Sequence, residues 1–247
     1  MPETLDEIAG LGLVLRQKRA GHRVGLDAVL LAAAAGRARA RRIVDVGAGV
    51  GAVGLALARR FPGGELDLVE IDAETAALAR DNAERTGVRA RGVAVDVLRA
   101  AERREAGLVD GAADLVVTNP PFLIAQAARV SPDPARARAH ALDGEDGLGH
   151  WIKASLALLA PGGRFAMIHR ADALPAIFAA LERRLGDVAA RPVYPRAGED
   201  AIRVLVTGVK GSRAPARLAP PLTLHEADGS ATAQAREVHE GRARLWP

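Results

Sequence analysis

The chain has 247 residues, 49% of them apolar, and a mean hydropathy of +0.05, so it can bury the core of one α/β domain or two small ones. It contains no Cys, which excludes disulfides, thiolate metal sites and a Cys nucleophile, and which suits a reducing, cytoplasmic location. Only three of the 34 basic residues are Lys and the net charge is +4, so the abundance of Arg indicates a compositional bias and by itself says little about nucleic acid.

Metal and membrane sites are not predicted. The six His residues show no spacing such as His-Glu-x-x-His, and we expect no metal. They are His22, His140, His150, His169, His225 and His239. A basic start and an apolar run over residues 16–35 resemble a signal peptide, but Asp27 interrupts the run. Because no stretch reaches the roughly 18 apolar residues of a membrane span, we expect no membrane segment.

The first 41 residues differ from the rest of the chain. They hold a basic stretch and then a predicted helix over Asp27–Gly36. The basic residues are Arg16, Lys18, Arg19 and Arg23.

From residue 42 onward, short apolar runs alternate with helical patterns, which predicts a parallel sheet built from βαβ units. The predicted strands are Arg42–Val46, Glu65–Glu70, Arg91–Val95, Ala113–Thr118, Arg164–His169, Val188–Tyr194 and Ile202–Val209. The predicted helices are Val50–Arg60, Ala73–Arg85, Leu148–Leu159 and Ala171–Leu185. Only residues 195–201 separate the last two strands, too few for a crossover helix, so these strands should form an antiparallel hairpin at one edge.

The sequence therefore predicts an α/β fold of the Rossmann type, with a seven-stranded, mostly parallel sheet and one antiparallel edge strand. We expect a single domain over residues 1–247, in which residues 42–210 form the core. Residues 211–247 are rich in Pro and Ala and predict an irregular C-terminal extension, in which Leu218, Leu222 and Leu224 favour packing against the core.

A glycine-rich segment follows the first core strand. This glycine loop, Asp45–Gly51, lets the backbone turn tightly and approach a ligand, with Gly47, Gly49 and Gly51 as its glycines. On spacing alone it fits both a nicotinamide dinucleotide and S-adenosylmethionine. Asp45 favours the second, because a carboxylate before the first glycine repels a pyrophosphate but suits the positively charged amino group of S-adenosylmethionine.

Further polar residues end the next strands, where open α/β sheets bind ligands. Glu70 is placed to accept hydrogen bonds from both ribose hydroxyls, and Ile71 to pack on the adenine face. In Asp96–Val97, the carboxylate is a candidate acceptor for the adenine amine, with a turn cap as the alternative.

The fourth core strand runs into Asn119-Pro120-Pro121-Phe122, named here the proline corner. Two consecutive prolines fix φ and remove two N–H donors, which gives a stiff turn. The Asn119 side-chain oxygen and the Pro120 carbonyl can accept the two hydrogens of a planar amine and favour the tetrahedral nitrogen that attacks a methyl group. Phe122 can stack on a planar substrate. A strand-ending turn is the plain structural alternative.

About residues 24–210 resemble the class I S-adenosylmethionine-dependent methyltransferases, and the proline corner matches the motif of members that methylate exocyclic or amide nitrogens. Segments upstream and downstream of the proline corner resemble the bacterial tRNA(Val) adenine N6-methyltransferase family in particular. They are residues 17–31, 131–140, 169–172, 195–198 and 224–229. The resemblance implies a tRNA substrate, S-adenosylmethionine bound next to Asn119, and a cofactor-roofing helix that carries Asp27, for which a helix N-cap is the alternative. Phe122 departs from the Tyr that many relatives carry.

A tRNA substrate requires phosphate contacts. Candidate RNA-binding residues are Arg129, Arg136 and Arg138 after the proline corner, Arg19 and Arg23 in the N-terminal stretch, and Lys210, Arg213 and Arg217 in a third set. The rival functions are an rRNA guanine N2-methyltransferase, a protein glutamine N-methyltransferase, an idle methyltransferase-like RNA-binding subunit and a nicotinamide dehydrogenase.

Overall fold

The computed structural model of the chain describes residues 3–19, 23–35, 40–121 and 147–245. The strands are β1 Glu3–Ile8, β2 Leu13–Lys18, β3 Arg42–Val46, β4 Glu65–Glu70, β5 Ala90–Ala94, β6 Ala113–Thr118, β7 Leu159–Arg170, β8 Leu185–Arg196, β9 Arg203–Lys210, β10 Arg217–Leu218 and β11 Leu222–His225. The α-helices are α1 Leu26–Ala34, α2 Ala52–Arg60, α3 Ala73–Arg85, α4 Ala100–Glu105, α5 Gly147–Leu158, α6 Leu174–Leu181 and α7 Ala233–His239.

A nine-stranded sheet forms the centre of the molecule. Its order is β10-β8-β9-β7-β6-β3-β4-β5, and β11 also pairs with β8. All pairings are parallel except those of β9 with β7 and with β8. The α/β class is thus confirmed, as is the antiparallel hairpin of β8 and β9. The antiparallel strand β9 lies between β7 and β8 and not at the edge, and the two additional strands come from the C-terminal extension.

Alternate residues of each central strand face two hydrophobic layers, as the two-residue period of a strand requires. Ile43 and Leu115 pack into the layer that contains α1 and α2, whereas Val44 and Val116 pack into the layer that contains α5 and α6. The sheet is therefore covered by helices on both faces, and the carboxyl ends of its parallel strands meet at one edge.

The N-terminal region differs from the prediction. A two-stranded antiparallel hairpin, β1 with β2, precedes α1, where only a basic stretch was expected. Leu13, Leu15 and Gln17 alternate inward along β2 and are buried. Lys18 joins this hairpin to the start of α3 by ion pairs of 3.1 Å with Asp72 and Glu74. The sequence analysis also missed the six-residue helix α4.

The C-terminal extension is regular rather than irregular. Leu222 and Leu224 are buried as expected, but Leu218 is 76% exposed because its short strand lies at the sheet edge. The buried Arg191 of β8 donates to the carbonyls of Pro220 at 2.6 Å and Leu245 at 2.5 Å. The extension therefore completes the outer edge of the sheet. Among the described helices, none has the length and apolarity needed to cross a bilayer.

Candidate active site

Strand register brings the glycine loop and the proline corner together. The β3–β6 ladder ends with Val46 opposite Thr118, so Gly47 and Asn119 leave neighbouring strands at the same level. On the other side of β3, Val46 lies opposite Val69, the residue before Glu70. Asp45, Glu70 and Asn119 therefore lie along one edge of the sheet, as the sequence predicted.

The glycine loop has the conformation that requires glycine. Gly47 and Gly49 have φ values of +73° and +54°, which residues with a side chain rarely adopt. A Cβ added at Gly49 would meet no atom within 4 Å, so the backbone borders open space. At Gly47 the added Cβ would lie 3.0 Å from Cζ2 of Trp151. At Gly49 the loop thus offers an uncovered backbone surface to a ligand, which fits the expected cofactor cradle.

Glu70 fixes the loop from the end of β4. Its Oε2 accepts the Gly49 N–H at 3.0 Å, and its Oε1 accepts the N–H groups of Ile71 at 2.9 Å and Asp72 at 3.1 Å. Three backbone donors thus orient a carboxylate that is only half-buried. The sequence predicted a ribose acceptor here, and the structure adds a second role, which is to hold the loop.

Asp45 is buried beneath α2, with 2% of its surface exposed, and accepts the Gly54 N–H at 2.8 Å. Burial, together with the charge of Glu70, raises the pKa of Asp45 to about 7, although the Gly54 hydrogen bond opposes the rise. No ion pair to Asp45 occurs within the described ranges. A buried carboxylate without a cation is chemically suited to an ammonium group, which is the partner predicted from the sequence.

Apolar and polar side chains lie together after the ends of β4 and β5. Ile71 is 45% exposed and Val97 is buried, which fits a partly covered platform for a flat ring. Asp96 accepts the Leu98 N–H at 3.0 Å and pairs with Arg99 at 3.4 Å. Asp96 therefore acts as the turn cap that was the alternative reading, and its second oxygen is shared with Arg99.

Asn119 has the clearest signature of a ligand-binding side chain. Its Oδ1 is buried and has no hydrogen-bond partner among the described residues, whereas buried polar atoms are almost always paired. Pro120 is buried and Pro121 is exposed. The orphan oxygen fits an acceptor for a ligand N–H. Phe122, the fourth residue of the proline corner, lies outside the described residues.

Trp151 of α5 is a site residue that the sequence analysis missed. Its Nε1–H donates to Thr118 Oγ1 at 2.9 Å, and Thr118 in turn donates to the Val46 carbonyl at 2.7 Å. The side chain is far from the motifs in sequence, and only its occurrence early in a helix after the proline corner hinted at it.

The remaining predicted residues are placed less favourably. Asp27 is in the first turn of α1, whose N-cap is Gly25, and binds Arg203 through both oxygens at 3.1 and 3.0 Å. The N-cap alternative for Asp27 is therefore wrong. Arg23 is paired with Asp6 at 2.8 Å, whereas Arg19 is exposed.

The other basic sets are divided. Lys210 donates to the carbonyls of Leu156 and Leu159 at 2.8 and 2.6 Å, a structural role at the end of α5. Arg129, Arg136 and Arg138 lie outside the described residues. In the described part of the chain, no group of three or more His, Asp or Glu side chains is arranged to hold a metal ion.

Comparison with known proteins yields one protein family. Residues 23–135 match the family model described as "Methyltransferase small domain". The tRNA1(Val) (adenine(37)-N6)-methyltransferase of Aeromonas hydrophila is 35% identical over 217 residues, which cover 86% of this chain and 86% of that protein. The protein of the same name from Serratia proteamaculans is 32% identical over 228 residues, which cover 89% of this chain and 83% of that protein.

Solved structures agree on the architecture. A predicted O-methyltransferase from Agrobacterium tumefaciens superposes with a TM-score of 0.70 at 33% identity, covering 88% of this chain and 97% of that one. A 16S rRNA N2 methyltransferase from T. thermophilus, solved with AdoMet and guanosine, has a TM-score of 0.56 at 21% identity, covering 85% of this chain and 50% of that one. The second likeness concerns the fold alone.

Proposed function

The chain belongs to the tRNA1(Val) (adenine(37)-N6)-methyltransferase family and is an S-adenosylmethionine-dependent methyltransferase, and we propose that it methylates the exocyclic N6 of adenine 37 in tRNA(Val). The observation that carries this proposal is the buried Asn119 Oδ1 beside the glycine loop, which has no hydrogen-bond partner in the part of the chain that the structure describes. An amine that donates a hydrogen to this oxygen would stand next to the methyl donor.

The residues around the cleft have distinct roles in this proposal. Glu70 would hold the ribose, the backbone at Gly49 would border the methionine part, and Asp45 would face its ammonium group. When bound, the cofactor supplies an electrophilic methyl group on a sulfonium.

The acceptor amine is a poor nucleophile, because its lone pair is delocalised into the ring. Asn119 Oδ1 and the Pro120 carbonyl would accept its two hydrogens, which favours a tetrahedral nitrogen and aims the lone pair at the methyl group. The N–CH₃ bond forms as the S–CH₃ bond breaks, and the methylated nitrogen then loses one proton to water. No strong base is required, so the chain contributes mainly positioning.

An adenine inside an RNA loop must be unstacked to reach this edge, and Phe122 is the residue proposed to stack on it. Arg129, Arg136 and Arg138 follow the proline corner directly, which makes them the candidates for the flanking phosphates. A tRNA substrate also supports the proposed cytoplasmic location.

Two other acceptors deserve direct comparison. The guanine N2 amine would fit the same pair of acceptor oxygens. A hydroxyl acceptor, as the name of the Agrobacterium relative suggests, has one hydrogen and would satisfy only one of the two oxygens.

The test is methylation of RNA by the purified protein with labelled S-adenosylmethionine. Unmodified tRNA(Val) and a transcript with guanine at position 37 serve as matched substrates, followed by digestion to nucleosides. We expect N6-methyladenosine from the first and no product from the second. Methylguanosine, a ribose-methylated nucleoside or the absence of any product would contradict the proposal.

A further inference from the structure

We propose that Trp151 and Thr118 are a positioning pair, which sets the distance between the proline corner and the glycine loop. The inference rests on the proposed function for its catalytic meaning, but the link between the two side chains can be tested without any substrate.

The pair takes part in a chain of two hydrogen bonds that runs from α5 through β6 to β3. Trp151 Nε1–H donates to Thr118 Oγ1 at 2.9 Å, and Thr118 Oγ1 donates its only hydrogen to the Val46 carbonyl at 2.7 Å. Thr118 is fully buried and immediately precedes Asn119. Val46 immediately precedes Gly47. The chain therefore joins the last strand residues before both halves of the site.

Trp151 also contacts the glycine loop directly. Its ring lies so close to Gly47 that a Cβ there would be 3.0 Å from Cζ2 and 3.2 Å from Cη2. One side chain on α5 thus touches the cofactor half through its ring and the acceptor half through its N–H. These are separable contacts, because the first depends on ring volume and the second on a single donor.

The chain of hydrogen bonds from Trp151 through Thr118 to Val46, named here the bridge, lies where the backbone ladder between β3 and β6 ends. The β3–β6 ladder ends at Val46 and Thr118, and the corner that follows contains Pro120 and Pro121, which have no N–H to donate. Beyond the ladder, side chains must define the spacing of the two turns. Since methyl transfer demands in-line alignment, a shift of about 1 Å can reduce turnover by about 100-fold.

The experiment uses Trp151→Phe, which keeps an aromatic ring but removes the donor and the ring atoms next to Gly47. It also uses Thr118→Val, which removes only the hydroxyl and replaces it by a methyl group of similar size. Their double variant is compared with both. Ser155→Ala is the matched control, because Ser155 is also fully buried and donates to the Trp151 carbonyl at 2.9 Å without reaching the cleft. Thr118→Ser keeps the hydroxyl and tests rescue.

We expect each bridge variant to lower kcat on tRNA by about tenfold, with KM and the calorimetric Kd for S-adenosylhomocysteine within about twofold of wild type. The double variant should lose less than the product of the two single losses, because both changes break one chain of hydrogen bonds. Ser155→Ala and Thr118→Ser should retain wild-type kcat. Unchanged kcat in both bridge variants, multiplying losses, or an equal loss in Ser155→Ala would overturn the inference.

A second measurement separates this inference from the proposed function. The thermal midpoints of the ligand-free single and double variants should be sub-additive, whereas Ser155→Ala combined with Thr118→Val should be additive. If wild type yields no RNA product, the proposed function fails, and these midpoints still decide the bridge. Additive midpoints for Trp151→Phe and Thr118→Val would overturn it.

Discussion

The two halves of the cleft are built in different ways. In the cofactor half, the carboxylates already make hydrogen bonds within the protein: Glu70 accepts three backbone N–H groups, and Asp45 accepts the Gly54 N–H. In the acceptor half, Asn119 Oδ1 is buried and accepts no hydrogen bond from residues 3–19, 23–35, 40–121 or 147–245, and the neighbouring prolines lack N–H groups. The cofactor half is preorganised by hydrogen bonds within the protein, whereas the acceptor half has a polar atom that is available to its ligand.

This contrast assigns different consequences to damage in each half. A change in the cofactor half should disturb both the loop and ligand affinity, because the same atoms serve both. A change at the orphan oxygen should disturb turnover alone, because no group of the described residues donates to that oxygen. The following substitutions test this division.

The largest effect is expected from Asn119→Ala. Turnover should fall by about 100-fold or more, because an acceptor aimed at the reacting amine is lost. The Kd for S-adenosylhomocysteine should stay unchanged, and the thermal midpoint should not fall, since an unsatisfied buried oxygen is removed. Single-turnover kinetics, calorimetry and thermal melts provide the three readouts. Substantial residual turnover would mean that the amine is held elsewhere.

Glu70→Ala should have the next largest effect. We expect the cofactor affinity to fall by at least about tenfold, because the ribose acceptor disappears and three backbone donors lose their partner. Calorimetric titration with S-adenosylhomocysteine measures the change. Asp96→Ala is the matched carboxylate at the next strand end and should weaken binding less, because its oxygens serve a turn and Arg99. Equal losses would contradict the division of roles.

A smaller effect is expected for RNA binding. Arg136→Ala combined with Arg138→Ala should weaken tRNA affinity several-fold at low salt and leave cofactor affinity intact, because each Arg is proposed to supply one phosphate contact. Arg23→Ala should change RNA affinity less, since Arg23 already pairs with Asp6 at 2.8 Å. Filter binding at low and moderate salt distinguishes the variants. RNA affinity of the double variant that matches wild type at both salt concentrations would count against this assignment.

The smallest effect is expected on the stability of the ligand-free protein and its dependence on pH. Folding raises the pKa of Asp45 from 3.8 to about 7, so the folded protein binds more protons than the unfolded chain between these values. The contribution of Asp45 to stability is therefore complete below pH 3.8 and is lost as the pH rises toward 7. Asp45→Asn should flatten this part of the stability profile of the ligand-free protein in urea melts at several pH values. Parallel profiles for the two proteins would show that Asp45 is not the titrating group.

Local sequence patterns were sufficient for most of the core. Apolar strands that end in Asp45, Glu70 and Asn119 identified the ligand-binding edge, because parallel strands place their carboxyl ends together. The use of Glu70 as a brace for Gly49 could not be inferred, since side-chain direction depends on the exact loop conformation. The bridge from Trp151 to Thr118 joins residues 33 positions apart and depends on how α5 packs.

The ends of the chain were harder to predict. Residues 13–18 alternate inward along a short strand, but their basic members obscured the pattern. The pairing of β11 with β8 joins distant segments, of which Leu222 and Val193 are one example, and Pro-rich composition suggested irregular structure. Such pairings depend on which edge of the sheet remains open, and this is a property of the assembled fold.

The position of Arg191 has a consequence for synthesis of the protein. Its guanidinium is buried in β8, yet its carbonyl partners at Pro220 and Leu245 lie 29 and 54 residues later in the chain. Until those residues are synthesised and packed, the cation lacks these acceptors and β8 lacks its partner β11. We expect β8 in the nascent chain to acquire protease resistance only after residues 220–245 have packed against it.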